Sequence, residues 1–312
     1  MTRRHALTLL SGSAVTAGCR RKTNAPQTFS TIAFGTEVNF LTYGLGENKL
    51  QSLQKTCLSR LSELEALFSL YRPESAISSL NRSGKLENAP PEFIGLIQTS
   101  LDIAWKTSGL FDITVQPLWN WRQKWKEADL ETRRQMESSS WQEALSLVDF
   151  RKISIDGGGI AFGQPGMAIS LNGIAQGYAT EQIKSILQNE GVTNALINIG
   201  EYSALGSAPN GKPWEIEIRN PFHLSSQRPL NPGRALAVSA GYSYTFDPEG
   251  RFHHIFRPRN GSNPKPTSTI VVEAHSATIA DALATTLTIA TASEQEDILK
   301  AFAGVNLQEL KP

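Results

Sequence analysis

Asp281 and Thr285 stand four residues apart in the stretch SATIADALATTL. In a helix that spacing puts a carboxylate and a hydroxyl on one face, one turn apart. Two hard oxygens so placed can both reach a cation such as Mg2+, which takes few protein ligands and completes its shell with water and phosphate oxygens. The pair is also an ordinary helix feature, since an acid near a helix start favours the macrodipole. On that reading Asp281 is a helix-surface residue that is cheap to remove. In SLNGIAQGYAT, Gly173 and Gly177 flank the opening of a second helix. Small residues there let a phosphate approach the first N–H groups of the helix, or simply allow tight helix–strand packing. Tyr71 beside Arg72 on a loop offers a ring and a cation to a planar ligand, or a loop end resting on the core. Asp112, in the otherwise apolar GLFDITVQPLW, needs backbone N–H groups or a ligand amide if it is buried. His253 and His254 point to opposite faces of an extended chain, so at most one faces a site.

These residues need a scaffold, and the periodicities supply one. Leucines at helical spacing predict a long amphipathic helix over Asn48–Leu70, with Cys57 on its apolar stripe as a buried core thiol. A second helix is predicted over Pro91–Ser108, closed by Gly109. Between them, YRPESAISSLNRSG reads as a polar loop with a short turn. LFDITVQPLWNW reads as extended and aromatic, and residues 126–148 as a charged, helical, peripheral insertion. Ser30–Gly44 reads as a strand bent at Gly35. Further strands are predicted at KISI, GIAF, MAISL, NALINIG, YSALG, PWEIEIRNP, ALAVSAGYSY, RFHHIF and STIVVEA. Helices follow SLNG and cover SATIADALATTLTIA, with a shorter one near Glu294–Phe302. Strands and helices mix without a regular βαβ rhythm, so the class is α+β in one intertwined unit.

Composition narrows the function. The chain has 312 residues, a formal charge of +1, 40% hydrophobic and 19% charged residues, which is ordinary for a globular protein. No basic face or run of like charge points to nucleic acid, and no G-x-G-x-x-G fingerprint is present. The N-terminus, MTRRHALTLLSGSAVTAGCRRKT, carries Arg3 and Arg4, a short apolar stretch, and small residues before Cys19. It reads as an export signal of twin-arginine appearance over residues 1–19, ending at a cysteine suited to lipidation. A lipid on Cys19 would leave Cys57 alone, without an intramolecular disulfide. Residues 20–29 read as a polar tether and residues 30–312 as the catalytic domain.

Taken in order, FGTEVNF, FSLYRPESAISSLN, SGLFDITVQPL, SLNGIAQGYAT, ALINIGEYSALG, PWEIEIRNP, HHIFRPRNG and SATIADALATTL resemble the ApbE family of FAD:protein FMN transferases. The resemblance spans roughly residues 31–287. It implies a single intertwined, T-fold-like α+β domain with mixed sheets and flanking helices. It also implies an enzyme that uses Mg2+ and FAD, joins FMN to a threonine hydroxyl of a target flavoprotein as a phosphoester, and releases AMP. By resemblance Asp281, Thr285 and the Gly173 carbonyl hold the metal. Tyr71 lies near the flavin, Phe34 near the nucleotide, and Leu110, Phe111 and Asp112 along the FAD site. His254 is the acid/base candidate. The implied setting is periplasmic and lipid-anchored to a bacterial membrane, with a membrane or periplasmic redox protein as acceptor.

Four positions depart from the family pattern. Ser170 stands where many members have Asp, Gln176 where Lys or Glu is common, Glu201 at the second glycine of an Asn-x-Gly-Gly run, and Arg257 at an Asp before Pro258. Ser170 and Gln176 remain in the expected FAD-binding set, as weaker or neutral contacts. Two other functions stay open: an FAD-binding lipoprotein without transfer activity, to which the changes at Ser170, Gln176 and Arg257 point, and an Mg2+-dependent FAD pyrophosphatase that yields free FMN and AMP.

Overall fold

The computed structural model describes residues 26–136, 140–219, 225–264 and 268–311. The residues read as an export signal, Cys19 among them, lie outside the described residues. The chain opens with strands β1 (Pro26–Ala33) and β2 (Thr36–Tyr43), an antiparallel hairpin turning at Phe34–Gly35. β1 thus begins inside the stretch read as a tether. Helices α1 (Glu47–Phe68), α2 (Ala76–Ser83) and α3 (Pro91–Lys106) follow, with the short strand β3 (Lys85–Leu86) between the last two. Next come α4 (Gln116–Glu127), α5 (Leu130–Met136), α6 (Ser140–Ser146), β4 (Ile153–Asp156), β5 (Gly159–Phe162), α7 (Ala175–Asn189), β6 (Ala195–Asn198) and β7 (Tyr202–Leu205). The chain closes with β8 (Trp214–Arg219), β9 (Ser225–Leu230), β10 (Ala235–Ser239), β11 (Thr269–Ala274), α8 (Ala277–Ile289), α9 (Ala292–Ala301) and β12 (Asn306–Leu310).

The main sheet runs β1-β2-β6-β7-β10-β11-β12, and its neighbouring strands are antiparallel. Antiparallel pairing among the described residues refines the mixed sheets expected. Along β6, Ala195 and Ile197 face one side and Leu196 the other, as a period of two requires. Ala195 and Ile197 join the main core with Val38, Ala237 and Val272 and with the buried stripe of α1: Leu53, Cys57, Leu61, Leu64 and Phe68. Burying each large side chain among them, such as Ile197, Leu61 or Phe68, contributes about 2 kcal/mol. Burial pushes the Cys57 thiol up to about 12, so it is an inert core residue. Leu196 joins Tyr202, Leu236 and Val271 under the β8–β9 hairpin, which adds Trp214, Ile216, Ile218 and Leu230. Covered on both faces, the central strands read as nearly continuous apolar runs.

Helix α8 is buried almost all round, packed on α7, β10 and β11, and its alanines permit that close approach. Glu92 of α3 accepts from Arg60 of α1 and from the Tyr178 hydroxyl of α7 at 2.7 Å, which fixes α7 against both helices.

Three sequence expectations change. The FSLYR loop leads into α2, capped by Ser75 accepting from the Ser78 N–H at 3.1 Å. Residues 116–121, read as extended, belong instead to α4, with Leu118, Trp121, Arg122 and Trp125 along one buried stripe. MAISL is not a ladder strand; instead the Asn81 carboxamide accepts from the Ile169 N–H at 2.7 Å and donates to its carbonyl at 2.9 Å. One side chain there replaces a strand partner.

Candidate active site at a helix seam and cleft

The turn entering α7 is pinned before it reaches Gly173. Asn81 holds Ile169, and the Ser170 N–H donates to the Ile113 carbonyl at 2.8 Å. The chain then runs along α8 with almost no clearance. A Cβ on Gly173 would lie 3.2 Å from Thr285 Oγ1. A Cβ on Gly177 would lie 2.3 Å from the Ala277 carbonyl oxygen and 2.8 Å from Asp281 Cβ. The Gly177 N–H donates to Asp281 Oδ2 at 2.9 Å. Gly173, Asp281 and Thr285, assigned to the metal from sequence, therefore meet at one α7–α8 seam.

Asp281 is only 5% exposed, so it is not the cheap helix-surface residue expected. It satisfies a first-turn N–H of α7, whose N-cap residue Ile174 supplies no side-chain cap, and it sits where that helix dipole favours an anion. Thr286 and Thr288 donate to carbonyls four residues back, at 2.7 and 2.8 Å. The Thr285 hydroxyl has no hydrogen-bond partner among the described residues and faces Gly173. Carboxylate, hydroxyl and carbonyl are the hard oxygens a Mg2+ ion takes, so the donor set fits. Among the described residues no three His, Cys, Asp or Glu side chains gather, and a set with a single carboxylate relies on water or substrate oxygens for the remainder.

Beside the seam opens a cleft of about 400 Å3, lined by Phe34, Glu65, Phe68, Tyr71, Arg72, Asn172, Ala175 and Gln176 among others. Asn172, Ala175 and Gln176 interleave with the seam glycines, so cleft and seam share one turn of chain. Three rings and a few polar groups suit a planar ligand. Gln176 is 8% exposed. It packs on Gly200, whose φ of +86° leaves no room for a side chain: a Cβ there would lie 2.9 Å from Gln176 Oε1. The Gln176 carboxamide has no hydrogen-bond partner among the described residues. Phe34, Tyr71 and Gln176 thus come together, and Tyr71 stands 75% exposed at the rim.

Leu110, Phe111 and Asp112 are not among the cleft-lining residues. Phe111 and Leu110 pack on the main core. Asp112 accepts from the Thr114 N–H at 2.8 Å, the Thr114 hydroxyl at 2.6 Å and the Phe150 N–H at 3.1 Å. Burial pushes its carboxyl up to about 6 despite these donors. This segment stands behind the seam, joined to it by the Ile113–Ser170 bond. Ser170 turns its hydroxyl back to accept from the Asn172 N–H at 3.3 Å.

The two histidines separate cleanly. His253 is buried; its Nδ1 accepts from the Ile255 N–H at 3.2 Å and its Nε2 donates to the Pro264 carbonyl at 2.8 Å. Burial lowers its pKa and keeps it neutral. His254 Nδ1 lies 3.1 Å from the Tyr244 carbonyl. A carbonyl only accepts, so Nδ1 carries the proton and Nε2 is the basic nitrogen. RFHHIF forms only an isolated bridge, Thr245 with His253, and is held by an aromatic block instead. There the Arg122 guanidinium lies 3.7 Å from the Phe252 ring centroid, with Trp141 at 4.6 Å, Trp121 at 5.0 Å and Trp125 at 5.6 Å.

Two departures from the family pattern have structural partners. Arg257 donates to both oxygens of Glu294 and to the Ile289 carbonyl at the end of α8, at 2.6–3.1 Å. This hydrogen-bonded pairing holds the Glu294 carboxyl down at about 2. Glu201 is buried and accepts from the Val238 N–H at 3.3 Å, tying the β6–β7 turn to β10. Among the cleft residues missed from sequence, with Phe68, Asn172 and Ala175, is Glu65, whose Oε1 accepts from the Phe34 N–H at 2.9 Å. Its polar position on α1 carries no signal beyond solvation.

The chain matches the ApbE family over residues 34–307. A Vibrio cholerae protein named FAD:protein FMN transferase is 27% identical over 92% of this chain and 87% of its own length. A protein of the same name from Salmonella typhimurium is 25% identical over 76% of this chain and 70% of its own length. The fold matches the crystal structure of the Pseudomonas stutzeri flavinyl transferase ApbE, apo form, with a TM-score of 0.75 at 22% identity, covering 92% of this chain and 95% of that one.

Proposed function

The chain belongs to the ApbE family, and on that premise we propose that it transfers the FMN half of FAD to a threonine hydroxyl of an acceptor flavoprotein. In the reaction the hydroxyl oxygen bonds to the FMN-side phosphorus, the bond to the bridging oxygen breaks, and AMP leaves with the electron pair. The observation that carries the reading is the junction of a ring-lined cleft with the Asp281–Thr285–Gly173 seam on a single turn of chain. The relatives' shared name supports the substrate assignment.

Each residue then has a task. Phe34, Phe68 and Tyr71 take the planar ring, and the Gln176 carboxamide supplies a donor and an acceptor to its polar edge. Asp281, Thr285 and the Gly173 carbonyl would hold Mg2+, which supplies charge neutralisation at the pyrophosphate. Asp281 keeps its aim because Gly177 donates to it. His254, fixed through Nδ1, presents Nε2 to take the hydroxyl proton. The acceptor is a periplasmic or membrane redox protein, and the enzyme is exported and lipid-anchored through Cys19, as Arg3, Arg4 and the apolar stretch before Cys19 support. Cys19→Ser would then move the protein from the membrane to the soluble periplasmic fraction.

The test is incubation with FAD, Mg2+ and a flavoprotein domain bearing an acceptor threonine, followed by mass spectrometry of the domain and assay of AMP. Covalent FMN on the domain with matching AMP is the expected result. Free FMN and AMP without acceptor labelling would make the protein a pyrophosphatase. Tight FAD binding without AMP would make it a carrier.

A further inference from the structure

The geometry points to Glu65 as a positioning residue whose single carboxylate fastens two walls of the cleft to each other. What the cleft holds rests on the flavin reading above. Glu65 lies near the C-terminal end of α1 and its side chain is mostly buried. Oε1 accepts from the Phe34 N–H at 2.9 Å, and Oε2 lies 3.3 Å from Arg72 Nη2. Its carbonyl accepts from the Ser69 N–H at 3.1 Å, where the helix gives way to the Tyr71–Arg72 turn. Phe34, Glu65, Tyr71 and Arg72 all line the same cleft.

Phe34 needs such a tie. It stands at φ +52°, in the left-handed region that a bulky aromatic residue rarely enters unless its surroundings hold it there. The β1–β2 ladder ends at Ala33 and Thr36, so at the hairpin tip the Phe34 N–H takes its partner from α1. A carboxylate is the stronger acceptor for that N–H. Arg72 is turned back by the same group: its Nη1 donates to the Ser62 carbonyl at 3.2 Å, so the guanidinium lies along α1. With Glu65 in place, the Phe34 ring is set in the cleft and the Arg72 charge is matched. Without it, the hairpin tip loosens and a cation is released beside the ring site. The effect falls on how well the ring is held before reaction, not on the bond-making step.

Three variants and two readouts separate these roles. Glu65→Ala cuts both ties, Glu65→Gln keeps an acceptor for the Phe34 N–H but loses the ion pair, and Arg72→Gln cuts the ion pair and the Ser62 contact while leaving the Phe34 tie in place. In the ligand-free protein, hydrogen exchange at the Phe34 amide should speed up about tenfold or more in Glu65→Ala and stay near wild type in Arg72→Gln. The dissociation constant for FAD, read from flavin fluorescence, should rise about tenfold in Glu65→Ala and no more than about threefold in Glu65→Gln, with turnover at saturating FAD held within about threefold. Unchanged exchange and affinity in Glu65→Ala would overturn the assignment. So would a Glu65→Gln variant as weak as Glu65→Ala, or turnover falling in step with affinity. If the wild type fails to bind FAD, the flavin reading fails, while exchange at Phe34 still decides the tie.

Discussion

At the α7–α8 seam one added carbon on Gly177 would lie 2.3 Å from the Ala277 carbonyl oxygen, whereas around Arg122 the space is taken up by four rings at 3.7–5.6 Å from the guanidinium. The seam fixes Asp281 and Thr285 by leaving no room to move. The aromatic block fixes the His254 segment by filling room with large, adaptable surfaces. Backbone cannot repack around an intruding atom as rings can. Tolerance to change should therefore differ sharply between the two regions, and the difference can be measured.

The largest effect should come from Gly177→Ala. The helices must part to admit the methyl group, lowering unfolding free energy by about 1–3 kcal/mol and removing Mg2+-dependent transfer altogether. Denaturant melts and the transfer assay check both. Near wild-type transfer would mean that the seam is soft and the contrast false. Asp281→Asn comes next. It keeps an oxygen for the Gly177 N–H and removes the charge, so transfer should fall about a thousandfold, as loss of several kcal/mol of transition-state stabilisation implies, while stability changes little. Asp281→Ala, by contrast, should also cost about 1–3 kcal/mol, because it strands a buried N–H.

The block should bend where the seam breaks. Phe252→Leu removes the ring nearest Arg122, and a desolvated cation–π contact is worth about 2 kcal/mol. Stability should drop by about that amount, with transfer falling only several-fold as the His254 segment loosens. A larger loss of transfer than of Gly177→Ala would reverse the comparison. The smallest effect concerns the link between the regions, Arg257 with Glu294. The Glu294 carboxyl is held low in the fold, so its contribution is present above the ordinary carboxylate range and lost as pH falls from about 4 through about 2. The stability difference between wild type and Glu294→Gln should shrink over that window in acid melts. It should be modest, because the side chain is 37% exposed.

The two regions also differ in how plainly the sequence carried them. The seam was readable because helical spacing and two glycines act locally: Asp281 and Thr285 must share a face, and Gly173 and Gly177 must admit something close. The leucine stripe of α1 was readable for the same reason. The burial of Asp281 was not, since nothing in ADALATTL says that α7 lies against it. In the aromatic block, LFDITVQPLWNW reads as extended, although Leu118, Trp121, Arg122 and Trp125 have helical spacing. SSQRPL, the strand β9, is polar and holds a proline, so only pairing with β8 makes it a strand. Asn81 substituting for a strand partner, and Glu65 reaching Phe34 across 31 positions, leave no mark on any local pattern.

The Gly177–Asp281 bond has a thermodynamic meaning beyond placement. Gly177 directly follows Gln176, so an acceptor oxygen at the seam and a cleft-lining amide are joined through a single peptide link. On the proposed function, a cation drawing on Asp281 and a ring resting beside Gln176 would share that link, and the expectation is that each alters the other's affinity. Linkage requires that whatever factor one adds to the affinity of the other be returned in equal measure, so titrating FAD at several Mg2+ concentrations, and Mg2+ at several FAD concentrations, should give one and the same coupling constant.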